Sequence, residues 1–338
     1  MQQGNDSGAQ LPDSLRSALQ GMGLLEPGEP VRAQPLTGGV ASDIWRVQSG
    51  PHDYCVKRAL AQLRVARDWQ VPTHRNAYEV AWLEQAAAIA PGSVPRVLGH
   101  DPEAGVFAMQ YFAPEHYRNW KQELAAGRVA LPAVASLATL LARIHSATAG
   151  DATLARRFDN GELFFQLRLE PYLHGAAERH PALAPYLLRL AEAVSGERRV
   201  MVHGDVSPKN ILVGEGGVVL LDAECACIGD PAFDLAFCLN HLLLKCLWQP
   251  AGTPDYLAAY QRLCRDYLAA VDWEPPSALA SRAAHLLPGL LLARVDGKSP
   301  VEYLQGAQQQ QVRQFATFHL INPPDDLAAL AHAWRQSL

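Results

Sequence analysis

The chain has 338 residues, with 29 Lys and Arg against 34 Asp and Glu, 49% hydrophobic side chains and only 19% charged ones. That length and apolar content suit a sizeable core in two domains or lobes, and exclude a disordered, collagen-like or disulfide-stapled chain. A net charge of −5 speaks against a general nucleic-acid binder, which needs a surplus of cations.

In chain order, residues 1–10 are polar and lack the apolar run of a secretory signal. A short amphipathic helix follows, capped by Asp13 or Ser14, with Leu15, Ala18, Leu19 and Met22 on one face and Gly21 or Gly23 at its end. Residues 34–36, 44–47 and 54–57 read as strands joined by turns at Gly38-Gly39 and Gly50-Pro51. A helix opens at Pro72-Thr73 and runs to about Ile89, and strands over 96–99 and 106–111 flank a turn at Asp101-Pro102. Beyond Pro114 the chain turns Ala/Leu-rich, with helices expected over 132–146, 185–194, 254–271 and 277–295. One β island interrupts them: 210–213 and 218–221 form a hairpin around a four-residue turn, 214–217. The fold expected is α+β, a small β-rich lobe with one main helix followed by a larger helical lobe that contains the hairpin. Its divisions fall at 1–30 for a tail and short helix, 31–112 for the first lobe and 113–338 for the second.

The six cysteines offer a C-x-C at Cys225 and Cys227, not the C-x-x-C of a zinc or redox site. Most lie in apolar stretches and read as small core residues of a reducing, cytoplasmic compartment. The longest apolar stretches are 232–248, broken by Asp234, Asn240, His241 and Lys245, and 285–293, which is too short to span a bilayer. No membrane span is expected.

Chemistry concentrates between 203 and 222. His203-Gly204-Asp205 is followed by Asn210, five residues after the Asp, and by Asp222 at the end of the second hairpin strand. A hairpin returns the chain to its start, so Asp205 and Asp222 come together. Asn210 and Asp222 are the hard oxygen ligands that Mg²⁺ takes alongside phosphate oxygens and water. A nearby carboxylate that the metal does not hold, Asp205, accepts a hydroxyl proton. These are the parts that phosphoryl transfer requires.

H-G-D-x-x-x-x-N with a following D-x-E, Asp222-Ala223-Glu224, resembles the catalytic and metal loops of the aminoglycoside phosphotransferase/choline kinase-like family, small-molecule kinases with a two-lobed protein-kinase-like fold. Gly229-Asp230-Pro231 and Asp234-Leu235-Ala236 look like that family too. The resemblance implies ATP (or GTP) and Mg²⁺ as cofactors, and a nucleotide-binding first lobe. There Gly38, Gly39 and Ser42 would approach phosphates, Lys57 would neutralise them, and Glu79 would fix Lys57 by an ion pair. Gln110 and Tyr111, in the segment 109–112, would hold the adenine as the hinge between the lobes. Ser207 would bond the transferring phosphoryl group. His203 reads as a brace of the loop, Asp230 and Asp234 as supports or helix caps, and His145 as a packed core residue.

Few residues separate Asp222 from Gly229, leaving no room for the long segment with which protein kinases hold a peptide. A small hydroxyl compound, sugar-like or amino-alcohol, is therefore the expected acceptor and partner of a monomer or homodimer, with no nucleic acid and no membrane. Two polar clusters in the second lobe are candidates to bind it: Arg168 and Glu170, and Arg294, Asp296 and Lys298. Two other readings stand beside this one: a pseudokinase-like module that binds without turnover, and a protein kinase.

Overall fold

The computed structural model describes residues 10–36, 42–62 and 71–338. The chain divides into two compact units, Met1–Ala88 with Val94–Ala113, and Ile89–Ser93 with Pro114–Leu338.

The first unit opens with helix α1, Asp13–Gly21, and continues with strands β1 (Arg32–Pro35), β2 (Ser42–Ser49) and β3 (His52–Ala59), helix α2 (Arg75–Ile89), and strands β4 (Val97–Asp101) and β5 (Val106–Gln110). The strands form one antiparallel sheet in the order β1-β2-β3-β5-β4. Alternation along β2 and β3 sends Val47, Tyr54 and Val56 to one face, where Leu11, Leu15, Ala18 and Leu19 cover them. Helix α1 thus completes the core of the sheet. Pro12, not Asp13 or Ser14, precedes its first turn, with no side-chain cap.

In the second unit a three-residue strand β6 (Tyr117–Asn119) leads into α3 (Trp120–Ala125), α4 (Leu131–Thr148), α5 (Ala152–Arg157) and α6 (Gly161–Phe164). A π-helical segment, Phe165–His174, runs on from α6 into α7 (Gly175–Arg179), and α8 (Ala184–Gly196) follows. Then come β7 (Val200–Val202), β8 (Ile211–Gly214), β9 (Gly217–Leu220) and β10 (Cys227–Gly229). Helices α9 (Pro231–Trp248), α10 (Thr253–Ala269), α11 (Pro276–Asp296), α12 (Gly306–Ile321) and α13 (Leu327–Ser337) complete it.

The expected hairpin is β8–β9, with Ile211 opposite Leu220 and Gly214 opposite Gly217. Its turn is two residues, 215–216, not four, because both flanking glycines join the ladder. Strand β6 adds a third strand against β8, and β7 pairs with β10. Helix α9 is buried almost throughout, which explains its mostly apolar sequence, with Asp234, Asn240, His241 and Lys245 buried among the rest. Among the described residues, no helix is long and apolar enough to cross a membrane. The cysteines are all unpaired thiols, and five of the six are buried.

Candidate active site

In the first unit, β3 carries Lys57 with its Nζ 2.7 Å from each carboxylate oxygen of Glu79 on α2. Both side chains are almost fully buried. Helix α2 is pinned for this contact at its start: the Arg75 guanidinium donates to the carbonyls of Leu60 and Pro72, and the Asn76 amide donates to that of Gly105. Ser42 is buried at the start of β2, and its neighbour Asp43 pairs with Arg58 at 2.7 Å. Gln110 is exposed at the end of β5, and the Arg46 guanidinium lies 4.2 Å over the Tyr111 ring. Gly38 and Gly39 lie outside the described residues.

In the second unit, β7 delivers His203-Gly204-Asp205 to a loop held from beneath by one carboxylate. Asp234, fully buried in the first turn of α9, accepts from the His203 and Gly204 amides at 2.7 and 2.8 Å. The His145 ring also faces Asp234, with Nε2 at 3.3 Å, and its Nδ1 meets the Tyr267 hydroxyl at 2.7 Å. Gly204 has φ +77°, and a Cβ there would stand 2.9 Å from the Cys225 carbonyl oxygen, so only glycine fits. His203 donates from Nε2 to the Leu221 carbonyl and accepts the Asp205 amide at Nδ1, both at 3.1 Å. Burial pushes its pKa down, consistent with this neutral bracing ring. Asp230 caps α9 by accepting from the Ala232 amide at 3.0 Å, and is gripped by Arg282, which also binds Glu274.

Asp205 itself is buried and lies between two cations. Arg168 approaches its Oδ2 at 2.8 Å and Lys209 approaches the same oxygen at 3.2 Å. Burial alone would raise the carboxyl pKa, but the charges of Lys209 and then Arg168 outweigh it and hold it far below the usual range. Arg168 is fixed in turn: its Nε donates to the Gly204 carbonyl at 2.6 Å and its Nη1 to that of Leu167 at 2.7 Å. The π-helical segment aims it there, and Pro171 within that segment has no N–H for a regular α-helical turn. Ser207 is buried, and its amide donates to the Asp205 carbonyl at 2.8 Å.

Asn210 donates its side-chain amide to the Asp205 carbonyl at 3.1 Å, and its own carbonyl accepts the Leu221 amide at 2.9 Å. That second bond closes the base of the hairpin, one residue before Asp222. Asp222 is the one non-glycine residue among those described with positive φ, at 67°. Such a backbone costs of order 1–3 kcal/mol and persists where the surroundings impose it. The donor set suits Mg²⁺: a carboxylate and an amide oxygen, two protein ligands that leave most positions to water and phosphate. Lys209 reaches within 4.0 Å of Asp222 as well as 3.2 Å of Asp205, so a positive charge already stands between the two carboxylates. Lys209 is the residue that the sequence reading missed. Its signal was present, because a Lys four residues after the Asp and one before the Asn points into the same loop.

The other acceptor candidates separate. Glu170 pairs with Lys298. Asp296 is buried and bound by Arg313 at 2.7 and 2.9 Å and by His180 at 2.7 Å. Arg294 donates to the Tyr172 hydroxyl at 3.1 Å and to the Ser299 carbonyl. Arg168 alone of the five touches Asp205.

A family model described as the phosphotransferase enzyme family matches residues 32–277. Among curated relatives, a methylthioribose kinase of Pectobacterium carotovorum is 27% identical over 277 residues, covering 73% of this chain and 67% of its own. Another, of Yersinia enterocolitica, is 27% identical over 288 residues, covering 75% and 71%. Among solved structures, an ethanolamine kinase of Plasmodium vivax superposes with TM-score 0.56 at 13% identity, over 94% of this chain and 86% of that one. An aminoglycoside phosphotransferase of Alicyclobacillus acidocaldarius gives 0.50 at 16% identity, over 98% of each chain. The architecture is the protein-kinase-like fold these structures share.

Proposed function

The chain belongs to the phosphotransferase enzyme family and is a small-molecule kinase, and we propose that it moves the γ-phosphoryl group of ATP to a sugar-like or amino-alcohol hydroxyl. The observation that carries this reading is Asp205, buried between Arg168 and Lys209 at the foot of a hairpin whose ends bear Asn210 and Asp222. The relatives named methylthioribose kinase favour a sugar-like acceptor within that range.

Asp205 receives the acceptor hydroxyl at Oδ1, since both cations grip Oδ2. A carboxylate held so far below its usual pKa is a weak base. It orients the hydroxyl first and takes the proton late, once bonding to phosphorus has begun, as a loose transition state permits. Asn210 and Asp222 would hold Mg²⁺, which would supply neutralising charge to the phosphate oxygens. Lys57, steadied by Glu79, adds its charge to the phosphates, and Lys209 offsets the charge that develops beside Asp205.

The test is transfer from ATP with Mg²⁺ to a panel of sugars and amino alcohols, read as phosphorylated product by mass. Asp205→Asn should lower the rate by about 10²–10⁴-fold while Mg·ATP still raises the melting temperature. Transfer retained within about tenfold would refute the role given to Asp205.

A further inference from the structure

The mixed-charge clusters of the helical unit sort themselves on folding. Glu170 cancels Lys298, and Asp296 is consumed by Arg313 and His180. What remains is cationic. Lys245, in the last turn of α9, is 1% exposed, and its ammonium has no carboxylate within 4.0 Å and no hydrogen bond among the described residues. Ring faces meet it: its Nζ lies 3.9 Å from the Tyr303 centroid and 4.2 Å from that of Trp248, and those two rings stack. The Tyr303 hydroxyl and Arg294 Nε are also buried without a hydrogen-bond partner. The Glu302 carboxylate, which acts on Lys245 from a distance, is held by Lys121 at 2.5 Å. Burial, then repulsion from Lys121 and Arg294 against the opposing pull of Glu302, pushes the Lys245 ammonium down to about 7.

A buried guanidinium nitrogen and a buried hydroxyl without acceptors, beside an ammonium without a counter-charge, are costly unless something anionic completes them. Side-chain contacts link the cluster to Asp205: Arg294 to Tyr172, Tyr172 to Phe237, and Phe237 under the Arg168 guanidinium that grips Asp205.

We propose that the acceptor carries an anionic group, a carboxylate or a phosphate, received by Lys245, Arg294 and the Tyr303 hydroxyl while its reacting hydroxyl lies at Asp205. This rests on the phosphoryl-transfer reading, which places the acceptor's hydroxyl at Asp205. It selects sugar acids or sugar phosphates over amines, because an amine would add a further positive charge to an uncompensated one.

The test is calorimetric binding to the full chain without nucleotide, using D-gluconate, D-glycerate and glycerol 3-phosphate beside neutral sorbitol and glycerol and cationic ethanolamine. The tightest ligand should be an anion, and the order of gluconate and glycerol 3-phosphate separates carboxylate from phosphate. Lys245→Met, which refills the space between the two rings, and Arg294→Gln should each weaken that ligand at least about tenfold. Affinity for Mg·ATP should stay within about twofold, which separates this subsite from one for nucleotide phosphate. The proposal is overturned if no anion binds at about 10 mM, if sorbitol or ethanolamine binds as tightly, or if both variants bind like the wild type. Anion binding in a protein that ignores Mg·ATP overturns the acceptor assignment through the kinase reading, and the nucleotide-free arm tells that failure apart.

Discussion

At the scale of single residues, the decisive feature is one carboxylate held by two cations. Lys209→Met removes the positive charge that stands between Asp205 and Asp222. Transfer should fall about 10–100-fold with the fold intact, checked by steady-state rates beside the melting temperature. The same pairing makes a statement about acid. The folded-state pKa of Asp205 is depressed, so the stability it contributes is present above about pH 4 and is lost as pH falls further. Asp205→Asn should therefore show a shallower decline of stability between about pH 4 and pH 2 than the wild type, measured by urea unfolding. Sequence spacing made Asp205, Asn210 and Asp222 legible because all three belong to one short hairpin, where separation along the chain converts directly into proximity. Arg168 was legible only as a member of a polar cluster that could bind the acceptor, not as a partner of Asp205. Its alternation with Glu170 and Tyr172 suggests one shared face, yet the π-helical segment sends the three to Asp205, Lys298 and Arg294 respectively.

At the scale of elements, the catalytic loop depends on α9 more than on its own sequence. Asp234 supplies the acceptor for two consecutive loop amides, both buried. Replacing it with Ala strands those donors at about 1–3 kcal/mol each. Asp234→Ala should thus lower stability by more than about 2 kcal/mol and cut kcat, and Asp234→Asn should recover part of both. Helices α2, α4, α8, α10 and α11 were readable from apolar periodicity, and the five strands of the sheet from their turns. Strands β6, β7 and β10 are three residues each and pair with segments far along the chain, so nothing local announces them. Helix α12 opens on a run of four glutamines at 308–311, which carries no apolar period.

At the scale of the whole molecule, two buried charges set the balance between stability and function. Lys57 and Glu79 pair while buried, so Lys57→Met should cost about 3–5 kcal/mol by removing the cation that this buried carboxylate faces. The double variant Lys57→Met/Glu79→Leu should regain most of that in urea titrations while remaining inactive. Lys245 has no such counter-charge. An unfolded lysine titrates near about 10.4, whereas this one is held at about 7. Between those values the unfolded chain binds the additional proton, so stability should rise with pH from about 7 to 10 in the wild type and stay flatter in Lys245→Met.

The measurement that tests the central claim most directly is thermal unfolding with ATP, with and without Mg²⁺, in the wild type and in Asp222→Ala. A ligand at about 100 times its Kd adds roughly 2.7 kcal/mol, a plain rise in melting temperature. The account expects a Mg²⁺-dependent rise in the wild type that Asp222→Ala loses. No rise, or an equal one in the variant, would contradict the metal and nucleotide roles given to this hairpin.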